Sequence, residues 1–275
     1  MYELHIKKEK LEESLSKLGK IAVAFSGGVD STFLLDTANK VLNENVIAVT
    51  GRSAAFPERE SDEAASFCRS IGVRQETVTI DQMTVPGFRE NRPDRCYLCK
   101  KTLFTAFLET AEKNGFSILA EGSNADDVND YRPGMIAISE LGVLSPLREA
   151  GLSKEDIRTL SKEAGLPTWS KPSLACLATR IPYGDEITED KLSLIDKSEQ
   201  FLFDLGLSQV RVRLYGNTVR IETDPSQFGT ILDPETAKLI NGYISGLGVT
   251  YVTLDLGGYR TGSMNLVLSE NEKMS

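Results

Sequence analysis

Histidine is almost absent. The 275-residue chain has one, His5, inside a charged amphipathic stretch over residues 1–20. Imidazole therefore drops out as catalytic base and as metal ligand, and any metal site must rest on thiolates and carboxylates. Basic charge is in deficit: 31 Lys and Arg stand against 40 Asp and Glu, for a net charge of -9. A surface that grips a nucleic-acid backbone is usually basic, so no nucleic-acid partner is expected. Long apolar runs are missing as well. None approaches the ~20 residues that span a bilayer, and residues 1–20 lack the apolar core of a signal peptide. The expectation is a cytoplasmic protein with no membrane partner. In that compartment the four cysteines are reduced thiols or metal ligands rather than disulfides. The Walker A pattern GxxxxGK[ST] does not occur, which excludes an ordinary P-loop kinase or GTPase. There is no internal repeat and no low-complexity tract.

What is present is ordinary for a globular protein, 40% hydrophobic and 26% charged. At roughly 150 residues per domain, the length suggests one large domain and a smaller one. Leu11, Leu15 and Leu18 mark one face of an opening helix. Residues 20–25 (KIAVAF) read as a buried strand, followed by a Gly-rich turn and a helix carrying Phe33, Leu34, Ala38, Val41 and Leu42. Further strands are expected at 46–49, 77–80 and 117–121, with helices at 58–71 and 100–113. Ser153 and Asp156 have the spacing of a capping box for a helix that stops at Gly165. Alternating strands and helices imply βαβ units: an α/β, doubly wound parallel sheet. After about residue 187 the pattern changes. A helix over 188–205, alternating strands over 209–214 and 219–222 around Gly216-Asn217, a helix over 234–245 and a strand over 249–256 form a small α+β domain. The expected division is 1–186 and 187–275. Residues 151–185 fit neither pattern cleanly.

The first chemical motif is Ser26-Gly27-Gly28-Val29-Asp30-Ser31, which follows one strand and opens one helix. Two glycines let the backbone turn tightly and aim N–H groups at an anion, and the helix N-terminus adds partial positive charge. Ser26 and Ser31 supply hydroxyls, and Asp30 is placed to hold Mg²⁺ or to cap the helix. The plain alternative is a Gly-rich turn without a ligand. SGGVDS resembles the signature of the PP-loop (N-type) ATP pyrophosphatases. That resemblance implies ATP as cofactor, a five-stranded parallel sheet, and adenine near the end of the second strand, around Thr50 and Arg52. It also implies release of pyrophosphate after an adenylate forms. Glu121-Gly122-Ser123-Asn124-Ala125-Asp126-Asp127 is similar to that family's second motif, which lies close to nucleotide and metal. Gly122 and Asp126 are its expected contacts. Ligands bind at the carboxyl ends of parallel strands, where both motifs fall.

Cysteine supplies the second chemistry. Cys96-Tyr97-Leu98-Cys99 is a CxxC flanked by Arg95, Lys100 and Lys101, whose charge favours thiolate. Cys176 lies in an aperiodic segment, Pro172-Ser173-Leu174-Ala175-Cys176-Leu177-Ala178-Thr179-Arg180. Cys68 shares a helix face with Ala64 and Ile71 and reads as core. Three thiolates are too few for a closed zinc site, and histidine cannot complete one. They suffice for a [4Fe-4S] cluster with one iron open to bind and deliver sulfide. Persulfide chemistry at Cys176, and zinc completed by water or a carboxylate, are the competing readings.

Four further segments narrow the resemblance: Asn129-Asp130-Tyr131-Arg132-Pro133-Gly134, Arg180-Ile181-Pro182-Tyr183-Gly184, Gln209-Val210-Arg211-Val212-Arg213, and Thr253-Leu254-Asp255-Leu256-Gly257-Gly258-Tyr259-Arg260-Thr261-Gly262. Together they resemble the LarE-type ATP-dependent sulfur transferases, which help build the nickel-pincer nucleotide cofactor of lactate racemase, along almost the whole chain. The resemblance implies a small-molecule nucleotide substrate, pyridinium-3,5-biscarboxylic acid mononucleotide. Its carboxylate is adenylated with Mg²⁺ and then converted to a thiocarboxylate. Some members sacrifice the sulfur of a cysteine at the Cys176 position. The additional Cys96 and Cys99 resemble the subgroup that carries sulfur on a cluster, with Cys96, Cys99 and Cys176 as metal ligands. Arg211 and Arg213 sit two apart on a strand, so they share a face suited to a phosphate. Arg180 is expected to bind a substrate phosphate or carboxylate, and Glu199 and Arg260 are carried over as substrate residues. Asp30 and Cys176 are the expected catalytic pair, and a homo-oligomer is expected. The alternatives are a PP-loop tRNA thiolase, an amidating ligase fed with ammonia, and a non-catalytic nucleotide-binding regulator.

Overall fold

The computed structural model describes residues 2–129, 133–172 and 175–260. Asp130, Tyr131 and Arg132, Ser173 and Leu174, and Thr261 and Gly262 of the motifs above lie outside the described residues. The chain forms two compact units, Met1–Val85 with Cys96–Leu174, and Pro86–Arg95 with Ala175–Ser275.

In the first unit, helices alternate with short strands: α1 (Tyr2–Leu18), β1 (Ile21–Ala24), α2 (Val29–Leu42), β2 (Val46–Arg52), α3 (Glu58–Ser70), β3 (Arg74–Thr79), α4 (Arg95–Lys113), β4 (Leu119–Ala120), α5 (Pro133–Glu140), α6 (Pro146–Glu149) and α7 (Lys154–Glu163). The strands make one sheet in the order β3-β2-β1-β4, every pairing parallel. Side chains alternate across a strand, and here both faces are apolar. Ile21 and Val23 of β1 and Val46 and Ala48 of β2 join Leu11, Leu15, Phe33, Leu35, Ala64, Phe67 and Ile157 in one core. Ala22, Ile47 and Val49 join Leu103, Phe104, Phe107 and Ile138 in the other. Helices thus cover both faces, which is the doubly wound arrangement. Four strands are present among the described residues where the resemblance implied five. Leu144 makes a single parallel bridge to Ala120, with Leu144 N donating to Leu119 O and Glu121 N to Leu144 O. The pairing stops there because Pro146, two residues on, has no N–H and opens α6. The CxxC also differs from expectation. α4 begins at Arg95 rather than near residue 100, so Cys96 and Cys99 stand three apart in its first turns, on one helix face.

The second unit contains α8 (Glu189–Asp204), β5 (Val210–Tyr215), β6 (Thr218–Thr223), α9 (Phe228–Leu232), α10 (Pro234–Gly246) and β7 (Tyr251–Leu254). Its sheet runs β5-β6-β7, antiparallel then parallel. Thr188 caps α8 by accepting from Lys191 N, and the helix lies against β5. Residues 86–95 belong here because Asn91 is wholly buried and its Nδ2 donates to the carbonyls of Ile181 and Pro182. Among the described residues no helix is long and apolar enough to cross a membrane.

α7 starts as its sequence requires: Ser153 Oγ accepts from Asp156 N, and the Asp156 carboxylate accepts from Ser153 N. The same carboxylate holds Lys7 Nζ of α1 at 2.8 Å. Burial works against charge on Asp156, but the bonds from Lys7 and Ser153 outweigh it and pull its pKa down. A lowered carboxyl contributes stability above its ordinary range, lost as pH falls through the lowered value. Asp156→Asn is therefore expected to lower stability by about 1 kcal/mol at neutral pH, a gap that closes in acid. Urea unfolding across pH checks both.

Candidate active site

The loop between β1 and α2 is built around an unusual helix start. Gly28 occupies the N-cap position of α2 and has no side chain to accept from the first turn. A helix start leaves several N–H groups without intrahelical partners, and a side-chain oxygen normally takes one of them. Here those groups remain for an anion. Gly27 has φ 71°, open to glycine at little cost, and a Cβ on it would approach Ala64 Cβ of α3 to 3.3 Å. Ser26 and Ser31 face each other with their hydroxyls 3.1 Å apart, and Ser31 Oγ also contacts Ser26 N and Gly28 O. The expected residues Ser26, Gly27, Gly28, Asp30 and Ser31 are thus gathered in one turn.

Gly122 fits against that turn from β4. A Cβ there would lie 2.9 Å from Ser31 N and 3.2 Å from the Asp30 carbonyl carbon, so only glycine allows the approach. Glu121, beside it, is buried and spent on structure: it accepts from Ser123 N, Ser123 Oγ and Ser145 Oγ. Asp126 is exposed, and its Oδ2 accepts from Lys154 N at the start of α7. Asp30 Oδ2 accepts from Lys154 Nζ at 2.6 Å, whereas Asp30 Oδ1 is buried with no hydrogen-bond partner. Lys171 Nζ donates to the Gly27 carbonyl at 3.1 Å and to Glu63 at 2.6 Å. Neither lysine was singled out from the sequence. Lys154 follows a helix cap and Lys171 lies in an irregular stretch, so nothing local marks either. At the end of β2, Thr50 is buried and its hydroxyl accepts from Gln75 Nε2, while Arg52 is exposed.

Cys96 and Cys99 belong to the first unit and Cys176 to the second, all three half-buried. Among the described residues no three His, Cys, Asp or Glu side chains are grouped as a metal site. Tyr97 and Lys101, flanking Cys99 in α4, both bond Glu140 of α5, at 2.8 and 2.9 Å. Cys68 is core, as expected, and burial pushes its thiol up to about 11.

In the second unit three of the expected arginines, Arg180, Arg211 and Arg213, are enclosed. Arg180 is 0% exposed and pairs with Glu199 through Nε and Nη2. Arg213 pairs with Glu222 through Nε and Nη2, and its Nη1 donates to Thr179 O. Arg211 donates to Val210 O and lies over the Tyr259 ring. The shared face of Arg211 and Arg213 is buried rather than a solvated sheet face. Burial disfavours the charged Glu199, yet Arg180, Arg211 and the Val212 N–H hold its carboxyl well below the usual range. Arg260 is exposed, 3.9 Å from Asp255.

The tight fit at Gly122 has a measurable consequence. Gly122→Ala is expected to displace the first turn of α2, costing about 1–3 kcal/mol of stability and weakening nucleotide binding. Calorimetric titration with ATP, beside thermal unfolding, checks it.

Residues 4–101 match the NAD synthase family. The chain is 38% identical over 271 residues to the pyridinium-3,5-bisthiocarboxylic acid mononucleotide synthase of Lactiplantibacillus plantarum, covering 98% of each. It is 39% identical over 268 residues to an uncharacterised protein of Synechocystis, covering 97% of this chain and all of the other. It is 24% identical over 259 residues to one component of a glutamine-hydrolysing GMP synthase of Thermoplasma volcanium, covering 88% of this chain and 79% of the relative. An uncapped Gly-Gly helix start that ends a parallel strand, with near full-length likeness to the synthase, places this chain among the PP-loop enzymes of the LarE type, ATP-dependent sulfur transferases, and it belongs to that family.

Proposed function

We propose that the chain adenylates a carboxylate of pyridinium-3,5-biscarboxylic acid mononucleotide and replaces one carboxylate oxygen with sulfur. The observation that carries this reading is the pairing of unpaired acceptor and unpaired donors in one turn: the orphaned Asp30 Oδ1 beside the uncapped N–H groups of α2. An orphaned buried carboxylate oxygen fits Mg²⁺, which is usually bound by one or two carboxylates plus phosphate oxygens. Asp30 would hold that ion, with Asp126 near the same turn. Mg²⁺ supplies charge neutralisation to the triphosphate. The loop 26–31 binds the phosphates, and Lys154 adds a cation whose charge Asp30 now balances. Adenine lies near Thr50 and Arg52.

In the first step a carboxylate oxygen of the substrate attacks the α-phosphorus, the α–β bond breaks, and pyrophosphate leaves. Sulfur then attacks the acyl carbon, the C–O bond breaks, and AMP leaves with that oxygen. Activation is needed because a carboxylate is a poor electrophile without a good leaving group. Cys176 handles the sulfur. A [4Fe-4S] cluster on Cys96, Cys99 and Cys176 is the proposed carrier; three thiolates would leave one iron open, and the cluster would supply a site for sulfide there. Arg260, which is exposed, is proposed to meet the substrate phosphate. We assign activation to residues 1–186 and substrate binding and self-association to 187–275, in a cytoplasmic homo-oligomer without nucleic acid.

The decisive assay is pyrophosphate release. ATP, Mg²⁺ and the pyridinium nucleotide together are expected to give release, and Asp30→Asn is expected to lower it by about 100-fold. Release that requires tRNA instead would establish a tRNA thiolase, and release that requires ammonia an amidating ligase. Iron and acid-labile sulfide, measured after purification without oxygen, test the carrier separately. About four of each per chain, lost in Cys176→Ala, is the expected result.

A further inference from the structure

We infer that Arg180 and Glu199 do not touch the substrate but form a clamp that sets the backbone of the Cys176 turn. The inference rests on the reading that Cys176 handles sulfur. Arg180 is 0% exposed and Glu199 is 2% exposed. The guanidinium makes five hydrogen bonds to described residues of its own unit. Nε and Nη2 go to the two Glu199 oxygens, and Nη1 goes to Ala175 O at 2.6 Å, Cys176 O at 3.0 Å and Thr179 Oγ1 at 3.0 Å. A guanidinium has five N–H donors in a rigid fork, and this one is turned toward the two carbonyls that flank the Cys176 Cα. Cys176 O accepts from Arg180 Nη1, from Thr179 N and from Thr179 Oγ1. The far end of the turn is held too. Thr179 O accepts from Arg213 Nη1, and Arg213 is itself fixed on Glu222.

Glu199 anchors the clamp to the scaffold. Its Oε1 accepts from Val212 N of β5 as well as from Arg180 Nε, so one carboxylate joins α8, β5 and the cysteine turn. With the Cys176 backbone held on its carbonyl, the Cα–Cβ direction is set, and with it the place from which the thiol is presented. Binding a substrate anion at Arg180 would require opening a buried bidentate pair. Removing one partner of such a pair typically costs several kcal/mol. Arg180 and Glu199 are therefore positioning residues, and the chemical group they serve is the thiol of Cys176.

The test uses the full chain and three variants: Arg180→Lys, Glu199→Gln, and the double variant Arg180→Met with Glu199→Leu, whose apolar pair removes both charges together. Peptide-resolved iodoacetamide labelling reads each cysteine. Calorimetry reads affinity for pyridinium-3,5-biscarboxylic acid mononucleotide, and separate assays read pyrophosphate release and thiocarboxylate formation. The clamp predicts changed labelling at Cys176 alone. It also predicts unchanged nucleotide affinity and pyrophosphate release, with thiocarboxylate formation down by about 100-fold. Arg180→Lys keeps the charge but cannot hold Glu199 and the carbonyls at once, so it is expected to show the same pattern even where the double variant fails to fold. Unchanged Cys176 labelling in a folded variant overturns the proposal, as does a large loss of nucleotide affinity, which would make Arg180 a substrate ligand. Labelling needs no substrate. A wild type that releases no pyrophosphate with the pyridinium nucleotide would overturn the function while labelling still decides the clamp.

Discussion

A helix that begins without a side-chain cap, with most of its length buried, leaves a demand that the rest of the first unit is arranged to meet. Nearly every residue of α2 from Val29 to Ala38 is buried, so the helix end cannot move out into water. Its free N–H groups call for an anion or water, and any left unsatisfied costs about one to three kcal/mol. The glycines follow from that demand. Gly27 turns the chain into the helix against α3, and Gly122 lets the loop after β4 lie directly on the first turn. Lys154 and Lys171 hold the turn from the other side, one on the Asp30 carboxylate and one on the Gly27 carbonyl. Position, orientation and charge at this helix start come from one backbone feature and its four supports.

The second unit solves a different problem with buried ion pairs. Arg180, Arg211 and Arg213 are nearly inaccessible, and so are Glu199 and Glu222. Such pairs seldom add net stability over apolar packing, because desolvation opposes their attraction. Their value here is geometric. A forked guanidinium between a carboxylate and two carbonyls admits one arrangement of the turn that carries Cys176.

Much of the architecture was legible in the sequence. The apolar 20–25 run followed by Gly27-Gly28 marked β1, the loop and the start of α2. Ser153 and Asp156 marked α7 through capping-box spacing, and the alternation of Val210, Arg211, Val212 and Arg213 marked which residues share a face. What escaped depends on tertiary partners. The burial of Arg211 and Arg213 is not legible, because nothing near them in sequence announces the pairing with Glu199 and Glu222. Lys154 and Lys171 carry no local signal for contacts with Asp30 and Gly27. The start of α4 was missed because Arg95-Cys96-Tyr97-Leu98-Cys99 shows no helical period, so a CxxC expected ahead of the helix lies within it. The fifth strand shrank to one bridge because Pro146 ends the pairing.

The central claim is that the substrate's carboxylate is activated through its own oxygen. Isotope tracing tests that directly. The pyridinium nucleotide, labelled with ¹⁸O in its carboxylates, is turned over with ATP and Mg²⁺, and the products are weighed by mass spectrometry. An acyl-adenylate route places one ¹⁸O in AMP for each thiocarboxylate formed and none in pyrophosphate. Thiocarboxylate produced with unlabelled AMP would contradict the account, because carboxylate oxygen would then never have been bonded to the α-phosphorus.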